Sequence, residues 1–228
     1  MKIIWLGHAG FRIEIAGQVL LIDPWLAHPH YPEDRRAEAI GGATQILLTH
    51  GHFDHTDGVL EMAQELGVPI AGMVELAGIL GDQGAETIGF NFGGSISIGD
   101  VTATLVPALH SSSIMIGKAL VYAGEPAGFI LRGEGKTLYI SGDTDVSAEM
   151  GAIGARYAPQ IGILSAGGFY TMDMAGAAFA AKTYFNFETV IPCHYKTFPA
   201  LEQDAAALKA GLPGVNVIEP EVLGVIEL

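Results

Sequence analysis

Short apolar runs separated by glycine-containing breaks dominate the first third of the chain, and this pattern predicts β-strands. The predicted strands are Lys2–Leu6, Phe11–Ile15, Gln18–Ile22 and Gln45–Leu48. After the last of these, Asp57 can cap a helix that runs to about Leu66 and ends at Gly67. A polar, histidine-rich loop therefore lies between the carboxyl end of a strand and the start of a helix. In α/β folds, ligands bind at such places.

The remainder of the chain alternates predicted strands with predicted helices. Further strands are predicted at Ser95–Ile98, Val101–Val106, Ala119–Tyr122, Gly128–Leu131, Thr137–Ile140, Ile161–Leu164, Thr189–Ile191 and Val215–Ile218. Further helices are predicted at Asp34–Ile40, Val74–Asp82, Val146–Ala155, Asp173–Tyr184 and Ala200–Leu212. Each half thus supplies several strands followed by strand–helix units. Two such halves predict an α/β protein, a four-layer αβ/βα sandwich of two mixed sheets with helices outside, in which residues 1–228 form a single domain.

The composition favours a globular protein with a large core. Of 228 residues, 50% are apolar and 16% are charged. The excess of 25 acidic over 11 basic residues gives a formal charge of -14, which opposes binding to nucleic acid or to an anionic membrane. The single cysteine excludes an internal disulfide, and the first residues lack the long apolar region of a secretory signal peptide. We therefore expect a cytoplasmic protein that contacts no membrane.

The loop that follows Gln45–Leu48 concentrates metal-binding chemistry. Between His50 and His55 it holds three of the eight histidines of the chain, together with Asp54. Imidazole and carboxylate are the ligands that suit zinc and its first-row neighbours. The alternative is a polar turn that is rich in histidine by coincidence. Because a core or a surface turn has little use for so many imidazoles, the cluster predicts a metal site.

Three further residues of ligand type follow the ends of other predicted strands. They are His110, Asp143 and His194. Taken singly, each has an ordinary explanation, since a lone histidine is usually a satisfied polar residue and an aspartate before a helix is usually a cap. Their joint occurrence with the histidine-rich loop indicates a metal pocket at one rim of a sheet, to which four separate strand ends contribute.

The order of these residues resembles that of the metallo-β-lactamase superfamily. Its pattern of His-x-His-x-Asp-His, then one histidine, one aspartate and one histidine, covers most of the chain. Shorter motifs resemble those of its small, single-domain metal-dependent hydrolases, which are related to L-ascorbate-6-phosphate lactonase. These motifs are Leu6–Phe11, Leu109–Ser112, Ser141–Thr144 and Cys193–Pro199. The resemblance implies the metallo-β-lactamase fold.

The resemblance also implies a ligand set and a reaction. One ion would be held by His50, His52 and His110, the other by Asp54, His55 and His194, with Asp143 between them. A hydroxide bridged between the two divalent ions would cleave a small-molecule ester, lactone, phosphoester or amide, and Asp54 would act as the catalytic proton acceptor. Zinc is the default metal for these ligands, with Mn, Fe or Ni as alternatives.

Residues next to the ligands have two interpretations each. The resemblance implies that His8, flanked by glycines, approaches the metal pocket or the substrate, whereas the alternative is a polar residue in a hairpin turn. Tyr195 and Lys196 follow the ligand His194 and are further candidates for contact with the substrate or the ligands. The ammonium of Lys196 suits an anionic part of a substrate, and the alternative is a solvated loop lysine. Tyr170 lies beside a glycine pair, which suggests that it lines the pocket. Asp23 either buttresses a metal-bound imidazole or caps the following turn.

Other residues near these motifs are not expected to take part in chemistry. Cys193 adjoins His194, but neighbours in an extended segment point to opposite faces, so a catalytic Cys–His pair is rejected in favour of a buried structural thiol. His28 and His30 alternate with prolines in a loop, and we expect them at the surface.

Three other functions compete with small-molecule hydrolysis. A phosphodiesterase or nuclease, as in ribonuclease Z, is disfavoured by the acidic charge and by the lack of a basic cluster. Redox chemistry at a di-iron site is disfavoured because such relatives carry glutamate at the position of His52 and have a flavin domain. A binding or sensor module is disfavoured because all seven ligand positions are filled with competent residues. The expected partner is a small-molecule substrate, and the oligomeric state stays open, a homo-oligomer included.

Overall fold

The strands form two seven-stranded sheets and one separate hairpin in a computed structural model that describes residues 1–228, apart from the side chain of Glu33. The first sheet has the spatial order β16-β1-β2-β3-β4-β5-β6. Its strands are β1 (Lys2–Gly7), β2 (Gly10–Ile15), β3 (Gln18–Ile22), β4 (Gln45–Leu47), β5 (Ile70–Met73), β6 (Thr87–Phe90) and β16 (Val225–Glu227). Strands β1 to β3 pair antiparallel as successive hairpins, and β3 to β6 pair in parallel.

The second sheet repeats this arrangement with the spatial order β15-β14-β13-β12-β11-β8-β7. Its strands are β7 (Ser95–Ile98), β8 (Val101–Pro107), β11 (Ala127–Gly133), β12 (Lys136–Ile140), β13 (Ile161–Ser165), β14 (Thr189–Cys193) and β15 (Asn216–Val217). The hairpin consists of β9 (Ser113–Ile116) and β10 (Ala119–Tyr122). Strand β11 pairs antiparallel with both β8 and β12, so β8 and β12 run in the same direction.

Short helices connect the parallel strands of both sheets. They are α1 (Arg36–Ile40), α2 (Phe53–Thr56), α3 (Val59–Leu66), α4 (Val74–Asp82), α5 (Glu149–Tyr157), α6 (Met174–Tyr184) and α7 (Ala206–Gly211), and a 3-10 turn, Glu33–Arg35, precedes α1. Among the described residues, no helix has both the length and the apolar character needed to cross a bilayer.

The two sheets face each other across one apolar core. Phe11 and Ile13 of the first sheet and Leu105 and Phe129 of the second are fully buried in the same cluster of side chains. Each side chain of this size contributes about 1.5–3 kcal/mol when it leaves water. A second cluster packs α3 and α4 against the outer face of the first sheet, while residues of α5, α6 and α7 join the main core from the other side. The predicted four-layer αβ/βα sandwich is confirmed.

The helices differ from the predicted ones mainly at their ends. Helix α7 begins at Ala206 and not at Ala200, because the backbone of Glu202 bonds to Gly167 and to Lys196 and not within a helix. Helix α3 begins after Gly58, and Asp57 instead ends the short helix α2. Four strands were not predicted at all, namely β5, β6, β9 and β16.

Candidate metal centre

All of the predicted ligands lie at one rim of the sandwich. Strands β8, β12 and β14 run in the same direction, so their carboxyl ends meet at one edge of the second sheet, followed by His110, Asp143 and His194. The loop after β4 of the first sheet reaches the same rim, where the Thr49 carbonyl accepts a hydrogen bond from the Ala127 amide at 3.0 Å. The structure therefore brings together residues that are up to 144 positions apart, from His50 to His194.

The first ligand group comprises His50, His52 and His110. One ring nitrogen of each lies within 4.8 Å of the others. Nε2 of His50 is 3.0 Å from Nδ1 of His52. Two nitrogens that bind one tetrahedral zinc, each at about 2.0–2.1 Å, are about 3.3 Å apart. The spacing of these imidazoles therefore suits a shared cation.

The second group comprises Asp54, His55 and His194, together with His8. Oδ2 of Asp54 is 3.4 Å from Nε2 of His194 and 3.9 Å from Nε2 of His55. His8 differs from the two other histidines of this group because both of its ring nitrogens have hydrogen-bond partners. Nε2 is 2.9 Å from Oδ2 of Asp54, and Nδ1 is 2.8 Å from Oγ1 of Thr197. The histidine that the sequence placed near the pocket thus contacts a predicted ligand directly.

Asp143 lies between the two groups. Its Oδ2 is 3.0 Å from Nε2 of His194 and 3.4 Å from Nε2 of His55 in the second group, and 3.7 Å from Nε2 of His110 in the first. One carboxylate oxygen thus lies near nitrogens of both groups.

Unpaired buried atoms converge on the same space. Among the described residues, Nε2 of His55, Oδ1 of Asp143 and Nε2 of His194 are buried without a hydrogen-bond partner. Leaving a buried polar group unpaired costs about 1–3 kcal/mol. Divalent cations would satisfy these atoms, and the nitrogen and oxygen donor set fits zinc and its first-row neighbours. The residues present therefore fit a metal.

One buried carboxylate orients ligands of both groups. Oδ2 of Asp23 accepts hydrogen bonds from Nδ1 of His55 at 2.8 Å and from the Thr49 hydroxyl at 2.6 Å. Because the Thr49 hydroxyl proton is used on Asp23, its oxygen is left to accept from Nδ1 of His50 at 3.0 Å. Both imidazoles therefore carry the proton on Nδ1 and turn the lone pair of Nε2 toward the centre. Asp23 makes the buttressing contact that was one of its two interpretations.

Burial favours the neutral form of several imidazoles. Desolvation lowers the pKa of His50 and of His110, and lowers the pKa of His8 to about 4. Burial alone would raise the pKa of Asp54, but the imidazole of His194, 3.4 Å away, and the hydrogen-bonded imidazole of His8 hold it well below its usual range. Ionised carboxylates and neutral imidazoles are the forms in which these groups bind cations.

The carboxylates stabilise positive charge at the second ligand group. Burial opposes protonation of His194, but Asp143 and Asp54 outweigh it and raise the pKa of His194 to about 9. Asp143 and Asp23 likewise raise the pKa of His55, again against the effect of burial. A bound cation would meet the same field, so the electrostatics of the centre support metal binding.

The two residues after His194 lie outside the ligand groups. Tyr195 is buried, with its ring stacked on Trp5 at a centroid distance of 5.5 Å. Nζ of Lys196 is bonded to Oε1 of Glu219 at 2.7 Å. Both residues line a depression of about 380 Å³ that also borders His8 and is separate from the cleft over the ligands. Their contact with a substrate stays a prediction.

The expectation that His28 lies at the surface is wrong. Its ring is buried, and its Nε2 is 2.8 Å from the Leu6 carbonyl oxygen. The ring fits because Gly7 lies under it, with a φ of +96° and no side chain, and a Cβ at that position would overlap the imidazole. His30, by contrast, is exposed as expected.

The sequence did not single out several residues around the centre. Thr197 holds His8, and the hydroxyl of Ser112 accepts a hydrogen bond from the Gly51 amide at 3.2 Å. A cleft of about 630 Å³ opens over the ligands, and Phe53 and Leu120 line it together with Tyr170, whose place in the pocket was expected. The motif Leu109–Ser112 was the available signal for the serines, but nothing in the local sequence marks Leu120.

Comparison with known proteins gives the same class of protein as the fold and the site. A sandwich of this architecture with a His/Asp centre at its rim has the metallo-β-lactamase fold. Residues 18–195 match the family described as the Beta-lactamase superfamily domain, and the chain belongs to this family.

The relatives include curated metal-dependent hydrolases. The chain is 55% identical over 230 residues to the UPF0173 metal-dependent hydrolase of Dinoroseobacter shibae, and 56% identical to that of Paracoccus denitrificans, with 100% of each chain covered in both cases. Among solved structures, the metallo hydrolase Igni18 of Ignicoccus hospitalis matches with a TM-score of 0.84 and 33% identity, over 100% of this chain and 98% of the other. The protein is a metal-dependent hydrolase of the β-lactamase superfamily.

Proposed function

We propose that this protein hydrolyses a small-molecule ester, lactone, phosphoester or amide at a pair of divalent cations. The observation that carries the proposal is the place of Asp143, whose Oδ2 is 3.0 Å from a nitrogen of the second ligand group and 3.7 Å from a nitrogen of the first. A single-ion site would not need two histidine groups on either side of one carboxylate.

Seven residues would hold the ions. His50, His52 and His110 would bind one, Asp54, His55 and His194 the other, and Asp143 both. Two such ions, when bound, would lower the pKa of a water toward neutrality and polarise the bond to be cleaved. We expect zinc first, since it suits this donor set, with Mn, Fe and Ni as alternatives.

The residues of the chain provide proton acceptance and orientation. Asp54 stays ionised because the imidazole of His194 lies 3.4 Å from it and His8 bonds to it, so its carboxylate is available to accept a proton from the attacking water. His8 holds Oδ2 of Asp54 in place and is itself held by Thr197. Asp23 fixes the orientation of His50 and His55 through the bonds described above.

Metal stoichiometry and activity test this proposal together. We expect about two ions per chain as isolated, loss of turnover on chelation, and recovery on adding Zn²⁺ or Mn²⁺ in a panel of esters, lactones, phosphoesters and amides. Asp143→Asn should abolish turnover, and His52→Ala should abolish it with loss of one ion. His30→Ala is the matched control, because this exposed histidine belongs to no ligand group. Full activity in the chelated protein or in Asp143→Asn would refute the proposal.

The sequence also supports expectations about the substrate, the partners and the location of this protein. The substrate is a small molecule, the acidic surface does not suit nucleic acid or an anionic membrane, and a cytoplasmic location fits the single reduced thiol. Gel filtration would determine whether the protein forms a homo-oligomer.

A further inference from the structure

The cleft over the ligand groups has a polar floor and largely apolar walls. Its volume of about 630 Å³ lies within the range of small-molecule sites. The floor contains five of the seven predicted ligands, His52, Asp54, His110, Asp143 and His194. The walls come from four separate segments of the chain, which contribute Phe53, Leu120, Tyr170, Phe198 and Ala200. An apolar pocket around a few convergent polar groups is the usual form of a ligand site.

The wall residues expose an unusual amount of apolar surface. Phe53 is 62% exposed, Leu120 is 69% exposed and Tyr170 is 57% exposed. Single exposed apolar residues are ordinary on a protein surface. Here they converge on one concave site over the predicted ligands, and an exposed apolar groove of this kind suits an apolar ligand.

One face of the hairpin β9–β10 borders the cleft and carries three large side chains and a serine. Leu120 pairs with Met115, and Tyr122 pairs with Ser113, so these four side chains share a face of the hairpin. Ser113 and Leu120 both line the cleft. The opposite face carries Ile114, which is buried in the core under α3 and α4. The hairpin is therefore anchored by one face, and Leu120 is held over the ligands.

The walls offer no positive charge to an anionic substrate. Within the described part of the chain, the lining of the cleft includes no lysine or arginine. Two lysines lie two positions from lining residues in sequence. Lys196 is bonded to Glu219 and lines the other depression, and Lys118, in the turn of the hairpin, does not line the cleft. A phosphate group held away from the floor would therefore remain without a counter-charge, on a protein whose formal charge is -14.

We propose that the substrate is a neutral ester, lactone or amide whose apolar acyl or aryl group lies against Phe53, Leu120 and Phe198, with the scissile carbonyl at the floor. This inference rests on the proposed function and narrows its substrate class. In the reaction, the C–O or C–N bond breaks, the hydroxyl of water joins the carbonyl carbon, and the proton goes to the leaving group. The apolar group binds favourably because its surface and the surface of the walls leave water together.

Binding of ligands that cannot be hydrolysed tests the walls directly. In calorimetric titrations of the metal-loaded protein with 2-alkanones of increasing length, we expect the affinity to rise about two- to fourfold for each added CH₂. Leu120→Ser should flatten this dependence, and it should leave the fold intact because the side chain is exposed. Phe179→Ser is the control, since this residue is 57% exposed on α6 and does not line the cleft. An affinity that does not depend on chain length would overturn the inference.

Turnover separates this inference from the proposed function. With p-nitrophenyl esters from acetate to octanoate, kcat/KM should rise with acyl length in the wild type and in Phe179→Ser, and less steeply in Leu120→Ser. Hydrolysis with no effect of length, or a higher kcat/KM for phosphomonoesters or RNA, would overturn the apolar substrate class only. Binding that depends on length without hydrolysis of any ester, lactone, phosphoester or amide would instead refute the proposed function and leave the apolar site established.

Discussion

Asp23 and His55 form a buried hydrogen bond of 2.8 Å between Oδ2 and Nδ1, on the side of the imidazole that faces away from the other ligands. The same carboxylate oxygen accepts the hydroxyl of Thr49, which in turn accepts from His50. One aspartate thus sets the tautomer of a histidine in each ligand group. Such outer contacts orient a ligand and raise its basicity.

Replacement of Asp23 by asparagine should weaken binding of both ions. The amide cannot accept from His55 and Thr49 through a charged oxygen, and it can present a donor toward the imidazole. We expect metal affinity to fall about 10- to 100-fold, measured by competition with a chromophoric chelator. Asp100→Asn changes an exposed turn carboxylate and serves as the control. Unchanged affinity for both ions in Asp23→Asn would contradict this role.

Replacement of Thr49 by valine should weaken metal binding at one ligand group and leave the other unchanged. It removes the hydroxyl that accepts from His50 but keeps the backbone amide that donates to Oδ1 of Asp23 at 2.8 Å. The bond between Asp23 and His55 is retained, so only the group of His50, His52 and His110 should lose affinity. We expect one ion to bind about tenfold more weakly and the other to bind normally, which stepwise titration resolves. An equal loss of affinity for both ions would show that Thr49 acts by stabilising the whole centre and not through His50 alone.

Removal of the His8 side chain should lower turnover without loss of metal. His8 contacts Oδ2 of Asp54, and Thr197 holds the other side of its ring. We therefore expect His8→Ala to reduce kcat about 100-fold, and Thr197→Val about tenfold, with little change in KM because binding of substrate is untouched.

The metal content of these variants decides between two roles of His8. Positioning of Asp54 predicts that His8→Ala retains both ions. His8 also lies within 4.8 Å of the second group, so loss of one ion in His8→Ala would show that it is itself a ligand. Thr183→Val, an exposed change on α6, is the control for Thr197→Val.

The convergence of the candidate ligands at one rim could be predicted because its signals are local. Strands that end in ligand-type residues can be recognised one at a time, and parallel strands bring their carboxyl ends to one edge without further information. His50, His110, Asp143 and His194 meet at this edge for that reason. The first strands were also predicted closely, since short, largely apolar runs separated by glycine-containing breaks are visible within a few residues.

Contacts between distant residues leave no local signal. His8 and Thr197 bond across 189 positions, and no single sequence shows that pairing. His28 is buried because its ring occupies the space that a side chain at Gly7 would fill. The proline-rich sequence around His28 gives no sign of this contact. Strand β9 was missed because its residues follow a proline and a run of serines, and only pairing with β10 makes them a strand.

The thiol of Cys193 should be inert in the native protein, although it adjoins a predicted metal ligand. It is 5% exposed within the main core, and burial raises its pKa, so little thiolate is available to react. We expect iodoacetamide to label it at least about 100-fold more slowly in buffer than in urea, measured by mass spectrometry. Cys193→Ala should retain turnover with both ions bound, since no step of the proposed reaction uses the sulfur. Rapid native labelling accompanied by loss of activity would instead revive the Cys–His pair that was rejected from the sequence.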